Sequence, residues 1–343
     1  MATAITTYST DSLGETSQRI ERLNPIIFFL KATDEIMNRH LRFFFAAIAG
    51  LALNFSGSVE KAHRRIQDGH VLPLYFHNPQ KELFKNIINW LKKKGFAFIS
   101  SRELIHILRR KEAPHQKSAW ISFDDGWREN VDNVIPTLVE YDVPATFFIS
   151  TYPVETSGYF WWSVVRKYNS KVSSKYKKNL TDLWQLPWIE IETIVNELLA
   201  KEKQIQREAM TFEEVIEISI LPQVTIGCHG VHHLLMTRCS EDELAAEILD
   251  SKSTLERWID KPVKYFAYPK GVFGQREKSI LKKYGYELAA GTNNFLITKD
   301  TDLYVVPRFG VLNEAYFYEA ICHVLGIWQP FKNKFKLSLK IAD

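Results

Sequence analysis

Cysteine is scarce in this sequence, with three residues among 343, namely Cys228, Cys239 and Cys322. Their number is odd and no two of them form a C-x-x-C pair, which argues against a disulfide scaffold and against a structural zinc knuckle. A P-loop, a G-x-G-x-x-G motif and internal repeats are also missing. Charge of one sign is in little excess, because the net charge is only +4. A charge this small does not demand a nucleic-acid partner, and we expect none.

The sequence also lacks an apolar run long enough to cross a bilayer, which takes about 20 residues. The apolar stretch at residues 43–53 fits a buried helix or docking segment. It also fits a helix in the membrane plane with peripheral membrane contact through residues 39–65, because basic residues flank it. These are Arg39, Arg42, Lys61, Arg64 and Arg65. Residues 1–23 lack a secretory signal pattern, so we expect a location in the cytoplasm or on the cytoplasmic face of the membrane.

From residue 70 onward, segments with strand character alternate with segments of helical spacing. The strand-like segments are 71–77, 96–99, 119–123, 145–149, 224–228, 265–268, 288–290 and 304–308. Repeated β–α units predict an α/β fold with a mainly parallel sheet and a site at the carboxyl ends of its strands. We predict a tail and helical segment at 1–69, a main domain at 70–330 with an aromatic-rich insert at 151–221, and a tail at 331–343.

Polar side chains follow two of these strands. Ile121-Ser122-Phe123 runs into Asp124-Asp125-Gly126, and paired carboxylates at the end of a buried strand need a cation or a shared proton. About 100 residues later, the apolar run at 224–228 ends in His229, and His232 and His233 follow. One Asp with two His makes a three-ligand set that leaves a position open on a divalent metal, which is the catalytic arrangement. The second Asp is then free to act as a base.

These two motifs resemble those of the polysaccharide deacetylase family, also called the NodB-homology family. Ser122 to Gly126 matches its T/S-F-D-D-G motif, and His229 and His233 occupy the ends of its H-S/T-x-x-H motif. Residues 266–271 match its aromatic, Pro and Gly turn in part. The resemblance covers roughly residues 70–330 and implies a distorted (β/α)7-type barrel. The sequence departs from the family pattern at Gly230, Leu234, Ala267 and Lys270.

By resemblance, Asp125, His229 and His233 are the metal ligands. This donor set suits Zn²⁺, our first expectation, and also Fe²⁺, Co²⁺ or Ni²⁺. The resemblance makes Asp124 the general base, although it could instead hydrogen-bond a ligand histidine. His77, after the first strand, is our choice of general acid over a structural histidine.

The remaining predicted site residues orient the base or contact substrate. Arg308 could orient Asp124 in place of the arginine that the family often has at position 267, or it could be a plain surface residue. Trp161, Trp162, Tyr268 and Lys270 are predicted to contact substrate. The alternative for the tryptophans is that they pack the insert, and for Lys270 that it is solvated.

The resemblance implies a metal-dependent carbohydrate deacetylase that removes N-acetyl groups from a glycan of the N-acetylglucosamine type. A non-catalytic glycan-binding or assembly protein on the same fold is one alternative, since the third motif is altered and the late His motif of many members is missing. A metal-independent amidohydrolase is another. Turnover only with metal would favour the deacetylase over both.

Overall fold

The computed structural model describes residues 39–66, 69–156, 158–168, 183–200 and 206–333. The predicted alternation of strands and helices is confirmed. The strands are β1 Val71–Phe76, β2 Ala97–Phe98, β3 Ser118–Phe123, β4 Ala145–Ile149, β5 Val224–Cys228, β6 Tyr265–Ala267, β7 Leu288–Ala290 and β8 Phe309–Gly310.

Helices precede the first strand and lie between most of the others. They are α1 Arg39–Phe55, α2 Ser58–Arg65, α3 Lys81–Lys93, α4 Ser101–Arg110, α5 Glu129–Asn133, α6 Ile135–Tyr141, α7 Thr151–Glu155, α8 Trp161–Tyr168, α9 Trp188–Leu199, α10 Phe212–Ser219, α11 Glu241–Ile259, α12 Gln275–Lys283 and α13 Phe317–Val324. Short 3₁₀ turns occur at Met236–Arg238 and Pro269–Gly271. The described parts of the predicted insert are thus largely helical, in α7 to α10.

All paired strands run parallel, in the order β7-β6-β5-β4-β3-β1-β8, with β2 beside β3. The sheet curls as the predicted barrel requires. Residues 306–310 connect its two edges, because Val306 bridges Ala290 of β7 while Phe309 and Gly310 pair with β1. The predicted strand at 304–308 is wrong in position. Pro307 has no N–H to donate, so regular pairing begins only after it.

Local sequence explains where several helices begin and break. Ser100 and Ser240 accept hydrogen bonds from the backbone N–H three residues on, each in a capping box, at the starts of α4 and α11. The helical segment after β3 breaks at Val134, two residues before Pro136, which separates α5 from α6. Proline cannot donate its backbone N–H and restricts the residue before it, so the break follows from the sequence.

Side chains of β3 alternate between two buried layers. Ile121 and Phe123 pack in the layer shared with the surrounding helices, where Phe123 stacks on Phe147 at 4.7 Å between ring centroids. Trp120 points the other way and meets Phe148 inside the curled sheet. Because neighbours on a strand face opposite sides, Asp124 continues the inner row after Trp120 and Ser122. The strand therefore delivers a carboxylate to the mouth of the barrel.

The helical segment before the barrel packs on α13, near the C-terminal end of the described chain. α1 contacts α13 so closely that a Cβ added at Gly50 would lie 2.6 Å from the backbone nitrogen of Glu319. Among the described residues, no helix combines the length and the apolar character that crossing a membrane requires. The first 38 residues of the predicted N-terminal segment lie outside the described residues. Residues 328–333 are also helical and reach the first residues of the predicted C-terminal tail.

Candidate metal centre

The carboxyl ends of the parallel strands bring the predicted site residues together at one mouth of the barrel. Asp124 and Asp125 follow β3, His229 follows β5, and His77 follows β1. Arg308 lies directly before β8. Of these five residues, His77 alone is substantially exposed, with 41% of its side chain accessible. The two motifs that are about 100 residues apart in sequence therefore form one cluster.

Asp125, His229 and His233 place three donor atoms within 4.8 Å of one another, and all three residues are buried. Oδ1 of Asp125 lies 3.4 Å from Nε2 of His229 and 3.4 Å from Nε2 of His233. That oxygen is buried and has no hydrogen-bond partner. An orphaned carboxylate oxygen facing two imidazole nitrogens is what a shared cation would satisfy, so the residues fit a divalent metal.

The tautomer of His229 follows from its surroundings. Its Nδ1 lies 2.7 Å from the carbonyl oxygen of Ala267. A carbonyl only accepts hydrogen bonds, so Nδ1 carries the proton and Nε2 offers its lone pair to the cluster. This arrangement fits the predicted role of His229 as a metal ligand, with Nε2 as the donor atom.

The charges of Asp125, His229 and His233 shift one another's pKa values. Burial acts to raise the pKa of Asp125, but His77, His229 and His233 together lower it below its ordinary value. Burial opposes a charge on His229, but the adjacent carboxylate of Asp125 and the negative charge of Asp124 raise the pKa of His229. Burial lowers the pKa of His233 to about 3, and the His229 charge adds to that shift. A proton on His229 thus competes with a cation, and metal affinity should fall in acid.

The backbone at the cluster is strained at two of the three candidate ligands. Asp125 has φ of 76° and His233 has φ of 59°, a left-handed region that residues with a Cβ rarely adopt. Lys270 in the neighbouring turn has φ of 59° as well. Such strain costs about 1–3 kcal/mol per residue and collects at functional sites, where the surrounding structure holds it. It supports a functional role for this mouth of the barrel.

Trp127, which was not predicted from the sequence, orients the candidate ligand Asp125. Its indole Nε1 donates a 2.9 Å hydrogen bond to Oδ2 of Asp125, which leaves Oδ1 facing the histidines. The available signal was position, since a side chain with one N–H donor follows the Asp-Asp-Gly motif directly.

Asp124 and Arg308 form a buried pair. Arg308 is fully buried, and its Nη1 and Nη2 donate to Oδ1 and Oδ2 of Asp124 at 2.7 and 2.8 Å. Nη1 also donates to Ser122 Oγ, and Nε donates to the carbonyl of Gly291. The alternative that Arg308 is a surface residue is wrong. The two-pronged contact fixes the carboxylate plane of Asp124.

His233, rather than His232, faces the cluster. His232 instead places its Nδ1 2.6 Å from the buried carboxylate of Glu247 on α11. Glu247 was not among the residues predicted from the sequence. The signal was a charged residue within the buried row Leu244, Ile248 and Ser251 of that helix.

The structure contradicts several predicted substrate contacts. Tyr268 is fully buried and donates its hydroxyl to the carbonyl of Tyr304, so the prediction that its side chain binds substrate is wrong. Trp161 and Trp162 are 3% and 6% exposed and pack together in the insert, which is the alternative interpretation of them. Burial of their large apolar area accounts for this difference.

Of the other predicted substrate contacts, Trp162 borders the cluster and Lys270 contacts the insert. The ring of Trp162 lies 4.5 Å from that of His233, so it packs behind a candidate ligand. Lys270 is exposed, with its Nζ 4.8 Å from the ring centroid of Trp184. Its contact with substrate remains a prediction.

Comparisons with known proteins bear on the family and the fold of this chain. The family model described as polysaccharide deacetylase matches residues 111–289. Poly-beta-1,6-N-acetyl-D-glucosamine N-deacetylase of Staphylococcus aureus is 23% identical over 270 residues, which cover 76% of this chain and 78% of that protein. Its counterpart in Staphylococcus epidermidis is 24% identical over 233 residues, 68% of each chain.

Two solved structures share the fold. The Streptococcus pyogenes deacetylase PplD in complex with acetate has a TM-score of 0.53 at 19% identity, over 71% of this chain and 93% of that one. IcaB from Ammonifex degensii has a TM-score of 0.52 at 15% identity, over 77% of this chain and 98% of that one. The curled parallel sheet with its surrounding helices is therefore a known architecture.

Proposed function

This chain belongs to the polysaccharide deacetylase family, and we propose that it is a metal-dependent N-deacetylase of glycans built from β-1,6-linked N-acetylglucosamine. As a family member it is a hydrolase of carbon–nitrogen bonds other than peptide bonds. The substrate in this proposal comes from the staphylococcal relatives. The observation that carries the proposal is the convergence of Asp125, His229 and His233 beside the paired Asp124.

Asp125, His229 and His233 would hold the divalent cation, and Zn²⁺ is our choice among the metals that suit this donor set. A cation bound there supplies Lewis-acid polarisation of the acetyl carbonyl. Trp127 holds the carboxylate of Asp125 so that one oxygen faces the histidines. All three candidate ligands are buried.

Asp124 takes a proton from the attacking water in this proposal. Both of its oxygens accept from Arg308, and each keeps a second lone pair that can receive the proton. The bond between water oxygen and carbonyl carbon forms as that proton moves to Asp124. Arg308 keeps the carboxylate from rotating during the transfer, because it binds through two nitrogens.

His77 gives a proton to the leaving amine. Its Nε2 lies 3.9 Å from Oδ2 of Asp125, and 41% of its side chain is accessible from the mouth of the barrel. When the carbon–nitrogen bond breaks, that proton completes the free amine, and acetate is the second product. A purely structural role for His77 is tested with an activated aryl acetate, whose leaving phenolate needs no proton. His77→Ala should slow amide cleavage far more than cleavage of this ester, and equal losses would assign a structural role.

Acetate release from β-1,6-linked N-acetylglucosamine oligomers tests the function. We expect Asp124→Asn and His229→Ala to lower the rate by about 10²-fold or more, because each removes a group that acts in the transition state. Matched controls are Asp250→Asn on α11 and His106→Ala on α4, both at exposed positions. Wild-type rates in Asp124→Asn and His229→Ala would refute the proposal.

We also propose peripheral membrane contact through α1 and α2. Phe44, Leu51 and Phe55 of α1 are 58%, 37% and 83% exposed, and their spacing puts them on one side of the helix. Lys61 and Arg64 of α2 are exposed nearby and add positive charge.

Sedimentation with vesicles tests this contact. The protein should bind vesicles that contain anionic lipid, and replacing Phe44, Leu51 and Phe55 together by Ser should abolish binding. Phe295→Ser is the matched control, since Phe295 is 69% exposed on another part of the surface. Equal binding by the triple variant and the control would contradict the proposal.

A further inference from the structure

We propose that Glu247 is a positioning residue that fixes the loop between the candidate ligands His229 and His233 and thereby sets the metal affinity of the site. This inference rests on the proposed function, because it assigns a role within the same metal centre. Glu247 lies on α11, and only 3% of it is exposed. It does not touch the cluster of three donor atoms.

The carboxylate of Glu247 accepts from three groups of that loop. Oε2 accepts from the backbone N–H of Val231 at 3.0 Å and of His232 at 3.1 Å. Oε1 lies 2.6 Å from Nδ1 of His232, which must donate because a carboxylate oxygen accepts. One buried side chain thus satisfies two loop amides and one imidazole between the candidate ligands.

Gly230 makes room for this carboxylate. A Cβ added there would lie 2.7 Å from Oε2 of Glu247, too close for both to remain in place. Gly230 also has φ of 81°, which glycine adopts without the strain that other residues have. The missing side chain at 230 and the buried carboxylate at 247 therefore belong to one arrangement.

The consequence for the metal centre passes through His233. Its backbone φ of 59° is strained, so the loop needs outside contacts to hold it. His232 directly precedes His233, and Glu247 accepts hydrogen bonds from both the backbone N–H and the Nδ1–H of His232. Without Glu247 the loop amides lose their acceptor, and His233 is free to relax away from Oδ1 of Asp125.

Aromatic residues of the helical insert also hold the side chain of His232 in place. The ring of His232 stacks on Trp188 of α9 with 4.1 Å between centroids and lies 4.8 Å from the ring of Tyr152. His232 is thus held between two aromatic rings and one carboxylate.

The test compares Glu247→Ala and Glu247→Gln with Glu243→Ala. Glu243 is a matched control because it lies one turn earlier on α11 and caps Ser240 without contact to the loop. The first readout is the Zn²⁺ affinity of the folded proteins by calorimetry. The second is hydrogen exchange of residues 229–235 in metal-free protein, which needs neither metal nor activity. Thermal unfolding identifies any variant that fails to fold.

Glu247→Ala should lower Zn²⁺ affinity by about 10- to 100-fold, the range for residues that support metal ligands. It should also speed exchange at 229–235. Glu247→Gln keeps one acceptor oxygen for the two amides, so its Zn²⁺ affinity should fall less than that of Glu247→Ala. Glu243→Ala should be less stable than the wild type but should bind Zn²⁺ with wild-type affinity.

Wild-type affinity and exchange in both Glu247 variants would overturn the inference, as would an equal loss of affinity in Glu243→Ala. Wild-type protein that binds Zn²⁺ but releases no acetate would instead contradict the proposed function alone. A parallel loss of affinity in the Glu247 variants would then still support the positioning role.

Discussion

Replacing Arg308 by Met tests whether the buried pair with Asp124 holds the base of the site. Met occupies much of the same volume but carries no charge, so Asp124 would be left as a buried carboxylate without its cation. Arg308 is fully buried and makes four hydrogen bonds, to Asp124, Ser122 and Gly291. It also lies over the ring of Tyr75 at 4.7 Å.

The expected loss of stability is large. Removing one partner of a buried ion pair costs about 3–5 kcal/mol, because the other charge stays buried and unpaired. Asp124→Asn should be destabilising for the same reason. The double variant Arg308→Met with Asp124→Asn removes both charges, so its loss should be smaller than the sum of the single losses, with a coupling energy of about 1–3 kcal/mol.

Activity should respond to geometry as well as to charge. Arg308→Lys keeps the positive charge but lacks the planar pair of N–H donors that fixes both oxygens of Asp124. We expect it to fold and to lose about 10²-fold in acetate release, since small misplacement of a reacting group costs about that much. The fall should appear in kcat rather than in KM.

Urea unfolding of the single and double variants measures the coupling, and acetate release measures the effect on rate. Losses that simply add in the double variant, or a loss below about 1 kcal/mol in Arg308→Met, would refute the account of the buried pair. Wild-type kcat in Arg308→Lys would refute its role in orienting the base.

Three further variants probe other contacts. Burial lowers the pKa of His323 from 6.5 to about 4, so the unfolded chain binds a proton there first as pH falls. Stability should therefore drop between about pH 6.5 and 4 by up to about 1.4 kcal/mol per pH unit, and His323→Gln should flatten that slope in urea unfolding at several pH values. Trp127→Phe removes the hydrogen bond to Asp125 and should weaken Zn²⁺ binding about 10-fold by calorimetry, with unchanged affinity as the contrary result. Gly126→Ala should lower the unfolding free energy by about 1–3 kcal/mol, since φ is 92° and the added Cβ would lie 3.2 Å from Ile149; an unchanged midpoint would contradict this.

The strands that the sequence predicts best are short apolar runs with clear ends. Residues 145–149 and 224–228 have the predicted bounds, because a buried parallel strand is a continuous apolar run. The meeting of Asp125 with His229 could also be predicted, since the carboxyl ends of parallel strands lie at the same edge. By contrast, the strand near 304–308 was misplaced, because pairing at Val306 and at Phe309 involves different neighbours on the two sides of Pro307.

Side-chain surroundings were harder to predict than the position of the backbone. Tyr268 and Trp161 have residue types that suit a sugar-binding cleft, yet both are buried. Burial depends on what packs from distant segments, and spacing along the chain does not encode it. Glu247 was missed for the same reason, since its partners Val231 and His232 lie about 15 residues earlier and meet it only when α11 folds back on the loop.

The most direct measurement of the central claim is acetate release by wild-type protein that is stripped of metal and then reloaded with Zn²⁺. The substrate is a β-1,6-linked N-acetylglucosamine oligomer, and His229→Ala is treated in the same way. We predict no release from stripped protein, full recovery in the wild type after about one equivalent of Zn²⁺, and no recovery in His229→Ala. Equal release by stripped and reloaded wild-type protein would contradict the account, and so would no release from reloaded protein that is folded and binds Zn²⁺.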